Sequence, residues 1–272
     1  MEKQEKLREC LANLVSEAHE RLRTHQPAFD YLTVGRGLTV DTIKREKIGY
    51  CDVKIVNNFM SSLPPDTWEI TDYGYFIKKM SKCILVPIRR PSGVIVAFST
   101  RSIDPSVKGW WNSPFRKESY LYGMDTAHAA VSAENKAYLF EGYVDRLFLK
   151  QSGLENSVSP MGTNLTKLQA GIIFRYCDRL CVCFDTDPVR NGKEGGGQRS
   201  LRKLVETYNV EGEFSSISAI VLPPKNDGTA YDPDEYVRQY GLKAFLSLER
   251  ECKRERADKH VFSQSPFRNA SL

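Results

Sequence analysis

The alternation of short apolar runs with acidic residues in the second half of the chain constrains its fold more than any other feature. The apolar run 137–140 leads into Glu141-Gly142-x-x-Asp145, and the apolar run 180–184 leads into Asp185-x-Asp187. Segments with helical periodicity lie between and after these runs. Such alternation predicts a parallel sheet with crossover helices, so that the acidic residues meet beyond the carboxyl ends of the strands.

From about residue 135 onward the pattern is specific enough to place individual elements. The predicted strands are 137–140, 157–159, 180–184 and 219–222, and the predicted helices are near 143–152, 165–176, 198–207 and 233–240. Asp232-Pro233-Asp234 stands at the start of the last helix. Asp232 and Asp234 are therefore either a third part of the acidic cluster or helix-capping residues.

The first half of the chain predicts a mixed α+β region instead. Residues 2–23 have apolar residues at helical spacing, and Thr39 is a plausible N-cap for a short helix that follows Gly37. The apolar runs 84–88 and 94–98, separated by a turn that contains Pro91 and Gly93, predict a β-hairpin. The expected organisation is an N-terminal helix over 1–27, a basic α+β subdomain over 28–134, an α/β domain over 135–246 and a charged, flexible tail over 247–272.

Composition excludes some classes of protein. With 272 residues and 41% hydrophobic residues the chain is expected to fold, and no apolar run approaches the roughly 20 residues that a membrane span needs. The N-terminus has no signal-peptide pattern, so a cytoplasmic location is expected. The seven cysteines form no C-x₂-C pair. Cys181 and Cys183 lie in an apolar run and are expected to be buried, and no zinc site is predicted.

Positive charge is concentrated between residues 76 and 120. This segment has nine Lys or Arg residues and two acidic residues, interleaved with aromatic residues at 110, 111, 115, 120 and 122. Cations beside aromatic rings suit a single-stranded nucleic acid, because phosphates bind the charges and bases stack on the rings. A solvated basic face over a partly aromatic core explains the same composition, and the residues alone do not separate the two.

The acidic segments predict a metal site. Several carboxylates in one crevice repel each other unless a cation joins them, and oxygen ligands of this kind suit Mg²⁺ or Mn²⁺. Any one acidic segment is a weak signal for such a site. The three segments in this order, each at or just beyond a strand end, are a more specific one. The residues themselves therefore predict divalent-metal phosphate chemistry.

The same motifs resemble a known family. The three acidic segments together look like the Toprim domain of DnaG-type bacterial and phage primases. Arg36-Gly37-Leu38, Val86-Pro87-Ile88-Arg89, Asn112-Ser113-Pro114 and Pro160-Met161-Gly162-Thr163 resemble further segments of that family's RNA polymerase core. The resemblance covers roughly residues 28 to 246. It implies an α/β Toprim domain, with a parallel sheet and crossover helices, after an α+β subdomain.

The resemblance also implies roles for individual residues. Catalytic residues would be Glu141, Asp185 and Asp187, and the ligands of two or more Mg²⁺ or Mn²⁺ ions would be Glu141, Asp145, Asp185, Asp187, Asp232 and Asp234. Residues that guide the template or nucleotide phosphates would be Arg89, Arg101, Lys108, Asn112 and Lys117. The implied activity is synthesis of short RNA primers on single-stranded DNA from ribonucleoside triphosphates.

Departures from the family pattern indicate which partner proteins to expect. No zinc ribbon precedes the core, and the chain stops before a helicase-binding domain, so a replicative helicase and a separate zinc-bearing or initiation subunit are expected partners. A compact core of this kind suggests a phage or other mobile element as its source. The chain is longer than the family pattern at residues 191–196 and 225–231. Two alternatives stay open: a non-catalytic subunit that binds single-stranded DNA or the replisome, and a Toprim nuclease.

Overall fold

The computed structural model describes residues 2–67, 73–185, 196–211 and 215–252. The chain divides into two compact units, Met1–Arg116 and Lys117–Leu272. None of the helices in the described ranges is both long enough and apolar enough to cross a bilayer.

The first unit combines helices with a small antiparallel sheet. Its helices are α1 (Glu2–Arg23), α2 (Gln26–Asp30), α3 (Val40–Glu46), α4 (Val53–Ser62) and α5 (Tyr73–Met80), with a π-helical turn at Tyr31–Gly35. Its strands are β1 (Gly49–Cys51), β2 (Cys83–Arg89), β3 (Ile95–Ser102) and β4 (Trp111–Asn112), which pair in this order. The predicted α+β character of the first half is confirmed.

Local sequence signals account for several of these elements. Helix α1 matches the predicted span, and Thr39 caps α3 by accepting a hydrogen bond from the Thr42 amide. Strands β2 and β3 form the predicted hairpin, and Gly93 has a φ of +81° in its turn. Gly49 allows β1 to lie directly against α1, because a Cβ there would come within 2.6 Å of the Ala18 Cβ.

The second unit is the α/β domain. After a 3₁₀ turn at Lys117–Ser119, its helices are α6 (Met124–Glu134), α7 (Tyr143–Gln151), α8 (Lys167–Phe174), α9 (Gly196–Glu211), α10 (Pro233–Tyr240) and α11 (Leu242–Leu246). Its strands are β5 (Ala137–Phe140), β6 (Ser157–Val158), β7 (Arg179–Cys183), β8 (Ser216–Ile220) and β9 (Glu249–Glu251). The predicted alternation of strands and helices is confirmed, and Cys181 and Cys183 are buried in β7 as expected.

The strand order of this sheet creates a crevice. The order is β6-β5-β7-β8-β9, with the first four strands parallel and β9 antiparallel. The connection after β5 leads to β6 on one side, whereas the connection after β7 leads to β8 on the other. Connections that diverge from neighbouring strands leave a crevice beyond their carboxyl ends, and that is where ligands bind in open α/β sheets.

Two elements differ from the sequence-based expectation. The fourth parallel strand was predicted over 219–222, but the observed strand β8 spans Ser216–Ile220. The prediction missed its start because Ser216 and Ser218 interrupt the apolar pattern that it used. The region 247–272 was expected to be a flexible tail, but its residues Glu249–Glu251 form β9 at the sheet edge. Residues 253–272 lie outside the described ranges.

A polar cluster around Glu249 explains why β9 is ordered. The Lys136 ammonium donates to both Glu249 carboxylate oxygens at 2.6 Å, the Tyr138 hydroxyl donates at 3.1 Å, and the Ser218 hydroxyl donates as well. Burial by itself would raise the pKa of Glu249, but these hydrogen bonds and the Lys136 charge hold it below its usual value. The carboxylate therefore stabilises the folded state in its charged form.

Replacement of Glu249 by Gln should destabilise the protein in a pH-dependent way. A carboxylate with a lowered pKa contributes stability above its unfolded-state pKa and loses it as the pH falls through the folded-state value. At pH 7 we expect Glu249→Gln to lower the free energy of unfolding by about 1–2 kcal/mol. Urea titrations of both proteins from pH 7 to about pH 3 should show this difference shrinking toward acid. A difference that stays constant with pH would show that the Glu249 charge does not stabilise β9.

Candidate active site

Glu141 and Asp185 lie beyond the carboxyl ends of neighbouring parallel strands. Strand β5 ends at Phe140 and β7 at Cys183, and these two residues are partners in the parallel register. Glu141 follows β5 directly, and Asp185 follows two residues after β7. Both acidic residues therefore stand at the crevice where the connections diverge.

Asp145 reaches the same place from the first turn of α7. Its carboxylate folds back over Gly142, the N-cap residue of that helix, and a Cβ at Gly142 would lie 2.6 Å from the Asp145 Oδ2. The absence of a side chain at position 142 thus provides the space that the carboxylate occupies. A carboxylate at a helix N-terminus is also stabilised by the helix dipole.

The electrostatics of Asp145 show that the predicted acidic residues converge. Burial is the largest cause that raises the pKa of Asp145 well above its usual value, and nearby negative charges raise it further. These charges belong to Asp185, Asp234, Asp232 and Glu141. Four of the other predicted metal ligands therefore act on Asp145, although the five residues come from three separate segments of the chain.

Helix α9 fixes the backbone that carries Asp185. A Cβ at Gly197, in the first turn of α9, would collide with the Asp185 carbonyl oxygen and approach its amide nitrogen to 3.1 Å. Only glycine lets the helix come this close to the end of β7. Asp187, the sixth predicted ligand and a predicted catalytic residue, lies outside the described residues.

Asp232 and Asp234 have different surroundings. Asp232 is exposed and is the N-cap residue of α10, where its backbone amide donates to the Glu235 carboxylate at 3.3 Å. Asp234 is buried and accepts from the Arg238 guanidinium at 2.6 Å. Asp232 thus combines the capping role with a place in the acidic cluster, whereas Asp234 already has a cationic partner. Arg238, which stands four residues further along the same helix, was not among the residues predicted from the sequence.

The loop after β6 is attached to the end of β5. The Glu141 carbonyl oxygen accepts hydrogen bonds from the Gly162 amide and the Ser159 hydroxyl, each at 3.0 Å. The Lys117 ammonium donates to the Met161 carbonyl at 3.0 Å. Lys117, which was predicted to guide phosphates, therefore places a positive charge on the loop that contacts the backbone of Glu141.

The other predicted phosphate-binding residues belong to the first unit. The Arg89 guanidinium donates to the Glu46 carbonyl at 3.0 Å, and Arg101 lies 5.8 Å from the Trp110 ring centre. Lys108 is exposed in the segment between β3 and β4. Asn112 is in β4, where it pairs with Ser99.

Two of the aromatic residues in or just after the basic segment are packed inward. Trp111 contacts Phe76 and Phe98, with ring centres 5.4 and 6.2 Å apart, and belongs to the periphery of the first unit's core. Tyr122 is buried in the second unit against the Tyr143 ring, at 4.9 Å. The core explanation therefore applies to the buried Tyr122 ring, and Trp111 is partly buried against the same kind of core.

The donor set of the acidic cluster fits a hard divalent cation. Its side chains offer only carboxylate oxygens, which are the ligands that Mg²⁺ and Mn²⁺ prefer. Within the described ranges, no three Asp, Glu, His or Cys side chains are already arranged to hold one ion. Their shared negative charge, expressed in the raised pKa of Asp145, is nevertheless the electrostatic condition that a cation would relieve.

Comparison with known proteins agrees with this fold. Residues 138–237 match the model of a Toprim-like domain, and the acidic strand ends define the second unit as a domain of this class. Residues 17–128 match the model of the N-terminal domain of the DNA primase catalytic core. The chain belongs to the DnaG-type primase family, whose catalytic-core domains it contains.

One curated relative supports the same assignment, and two solved structures share the fold. A DNA primase of Enterococcus faecalis is 30% identical over 245 residues, which are 82% of this chain and 36% of that protein. The chain thus spans about a third of the length of this curated relative. The Aquifex aeolicus primase structure, with its zinc-binding and RNA polymerase domains, superimposes with a TM-score of 0.73 at 23% identity, covering 92% of this chain and 62% of that one. A DnaG catalytic domain bound to single-stranded DNA gives 0.72 at 23% identity, covering 90% and 81%.

Gly142→Ala should weaken cation binding while leaving the fold intact. The new methyl group would take the space of the Asp145 carboxylate, which stands at the end of a side chain that can move. We expect Mn²⁺ affinity, measured by calorimetry, to fall about tenfold, which is the usual effect of disturbing the support of a metal ligand. The stability cost should stay below about 1 kcal/mol.

Gly171→Ala is the matched control for this variant. It makes the same substitution in α8, where a Cβ has open space, and should leave Mn²⁺ affinity unchanged. Equal affinities for the wild type and both variants would remove Asp145 from the cation site.

Proposed function

We propose that this protein is a DNA primase core, which synthesises short RNA primers on single-stranded DNA by metal-dependent nucleotidyl transfer. In this proposal residues 28–134 handle template and nucleotide, and residues 135–246 carry out the chemistry. The observation that carries the proposal is the convergence of Glu141, Asp145, Asp185 and Asp232 at the diverging connections of a parallel sheet.

The acidic residues are proposed to hold two or more Mg²⁺ or Mn²⁺ ions. Glu141 and Asp185, at the strand ends, are the central ligands, and Asp187 is proposed to join them. Asp145, Asp232 and Asp234 complete the negative surroundings. When bound, a pair of such ions stabilises the attacking and leaving oxygens of a phosphoryl transfer.

The reaction requires mainly positioning and charge neutralisation. The 3′-hydroxyl of the growing primer attacks the α-phosphorus of a ribonucleoside triphosphate, a P–O bond forms, and the bond to pyrophosphate breaks. We propose that the Glu141 carboxylate accepts the hydroxyl proton. The Gly162 amide and the Ser159 hydroxyl donate hydrogen bonds to the Glu141 backbone carbonyl. These bonds fix the backbone from which the Glu141 side chain extends.

The basic residues are proposed to position the nucleic acid and the nucleotide. Arg89, Arg101, Lys108 and Asn112 would contact template or nucleotide phosphates on the first unit, and Lys117 would do so on the second. The relative described as bound to single-stranded DNA supports this class of template. A replicative helicase and a zinc-bearing or initiation subunit are the proposed protein partners, and the cytoplasm is the proposed location.

The decisive experiment is primer synthesis with Glu141→Gln. The assay contains single-stranded template, labelled ribonucleotides and Mg²⁺ or Mn²⁺, with and without a candidate zinc-bearing partner. Because the variant keeps the shape of the side chain and removes its charge, we expect primer yield to fall by at least about 100-fold, with folding unchanged. Glu206→Gln, an exposed carboxylate on α9, is the matched control and should keep wild-type yield.

The products distinguish the alternatives. Ribonucleotide incorporation that is lost in Glu141→Gln supports the primase. Degradation of the DNA without incorporation identifies a Toprim nuclease. Binding of the template without either product, in the presence of the partner, identifies a non-catalytic subunit and contradicts the proposal.

Lys117→Ala should change the salt dependence of binding to single strands. If the Lys117 ammonium neutralises one phosphate, its loss lowers the slope of log affinity against log salt by about 0.7. Fluorescence anisotropy with a labelled oligonucleotide between low and moderate salt measures this slope. Lys203→Ala removes an exposed lysine from α9 and should leave the slope unchanged. An unchanged slope in Lys117→Ala would exclude this lysine from the binding track.

A further inference from the structure

The cap of helix α8 binds other segments of the chain besides its own helix. Thr166 is the N-cap residue of α8, and Gln169 is the third residue of the helix. The Gln169 amide donates to the Thr166 hydroxyl at 3.2 Å, and the Thr166 amide donates to the Gln169 side-chain oxygen at 3.1 Å, which makes a capping box. This exchange uses one oxygen of each side chain. The Gln169 NH₂ group and the Thr166 hydroxyl hydrogen are therefore left to donate elsewhere.

These donors bind the turn that carries Lys117. Gln169 Nε2 lies 2.8 Å from the Tyr120 carbonyl oxygen and 3.3 Å from the Lys117 carbonyl oxygen. The Thr166 hydroxyl donates to the Glu118 carbonyl at 3.0 Å. Gln169 is buried, so its bonds form away from water. Three carbonyls of one short turn are thus bound by the capping box of α8.

The Gln169 side chain also binds the loop after β6. Its Nε2 lies 3.2 Å from the Pro160 carbonyl oxygen, so its two N–H groups are shared among three carbonyls. The next residue, Met161, has a φ of +63°, which is uncommon for a residue with a side chain. Its carbonyl accepts from the Lys117 ammonium at 3.0 Å. The backbone that carries the ammonium and the loop that receives it are therefore bound to the same buried side chain.

We propose that this capping box, chiefly through Gln169, positions the Lys117 ammonium beside the end of β5. Gly162, which follows Met161 in the loop, donates its amide to the Glu141 carbonyl at 3.0 Å. A lysine has a flexible four-carbon stem, so an exposed ammonium keeps one place only where its surroundings are fixed. An ammonium group has three donors, so its bond to the loop is compatible with a phosphate contact. The inference rests on the proposed function for the ligand of Lys117, whereas the position of the ammonium can be tested without it.

Gln169→Met tests the position through the chemical reactivity of Lys117. Methionine keeps the unbranched shape of the side chain and removes the amide, so the turn and the loop lose their common partner. An ammonium held by a carbonyl must leave it before it reacts. We therefore expect an amine-acylating reagent to modify Lys117 at least about threefold faster than in wild type, as for the loss of one hydrogen bond. Peptide mass spectrometry measures the rate, with Lys203, an exposed lysine on α9, as the internal reference.

Asn156→Leu is the matched control. Asn156 is buried just before β6, where its amide donates to the Glu134 carboxylate and the Lys136 carbonyl. The substitution also replaces a buried amide by an apolar group of similar size, but at the other end of β6. We expect thermal melting to show destabilisation of both variants, with Lys117 acylated at the wild-type rate in the control.

Thr166→Val and Thr166→Ser form a milder pair of variants. Valine removes the hydroxyl that binds the Glu118 carbonyl, and serine keeps it. We expect faster acylation of Lys117 in Thr166→Val and the wild-type rate in Thr166→Ser. This pair tests the position of the ammonium even if Gln169→Met does not fold.

Binding to a labelled single-stranded oligonucleotide connects this position to the proposed function. Gln169→Met should lower the slope of log affinity against log salt by about 0.7, as expected for Lys117→Ala. The double variant should show no further loss, because both changes act on the same contact. An unchanged slope in Lys117→Ala would contradict the proposed role of this lysine, and the acylation rates would still decide what positions it.

The acylation rates determine whether the inference stands. Wild-type acylation of Lys117 in Thr166→Val and in folded Gln169→Met would overturn it. An equal acceleration in Asn156→Leu would overturn it as well, because the effect would then be a general loosening of the domain. Acceleration in Gln169→Met and Thr166→Val, with neither Asn156→Leu nor Thr166→Ser affected, supports it.

Discussion

Repulsion among carboxylates at one end of a parallel sheet is the constraint on which the rest of this structure depends. Glu141, Asp185 and Asp232 come from separate segments, yet their charges all raise the pKa of Asp145. A folded chain accepts such crowding only where something offsets it. Arg238 offsets part of it at Asp234, and the N-terminus of α7 stabilises the carboxylate that lies over it. The remaining negative charge is what makes the site suited to cations.

Backbone geometry, more than side-chain chemistry, sets where these charges stand. The carboxylate of Asp145 fills the space that a side chain at position 142 would take, and Gly197 lets α9 touch the backbone of Asp185. The carbonyl of Glu141 accepts a hydrogen bond from the Gly162 amide. The glycines near the acidic residues therefore have a steric explanation. They permit the close approaches that bring the carboxylates together.

The sequence predicted the parallel architecture and the acidic segments because both depend on local patterns, namely short apolar runs and carboxylates at their ends. It failed where tertiary contacts decide the outcome. Glu249 reads as part of a charged tail, and only its hydrogen bonds to Lys136 and Ser218 reveal an edge strand. For Trp111 the sequence left a stacking surface and a core position both open, and its neighbours are core residues. No pattern of spacing could separate these cases, because the partners lie far away in the chain.

Helix α10 brings the third acidic segment to the cluster through one short element. Asp232 caps the helix, and Asp234 is anchored in its first turn by Arg238. Because the cap fixes the backbone at Asp232, the start of the helix also decides where this carboxylate stands beside the others.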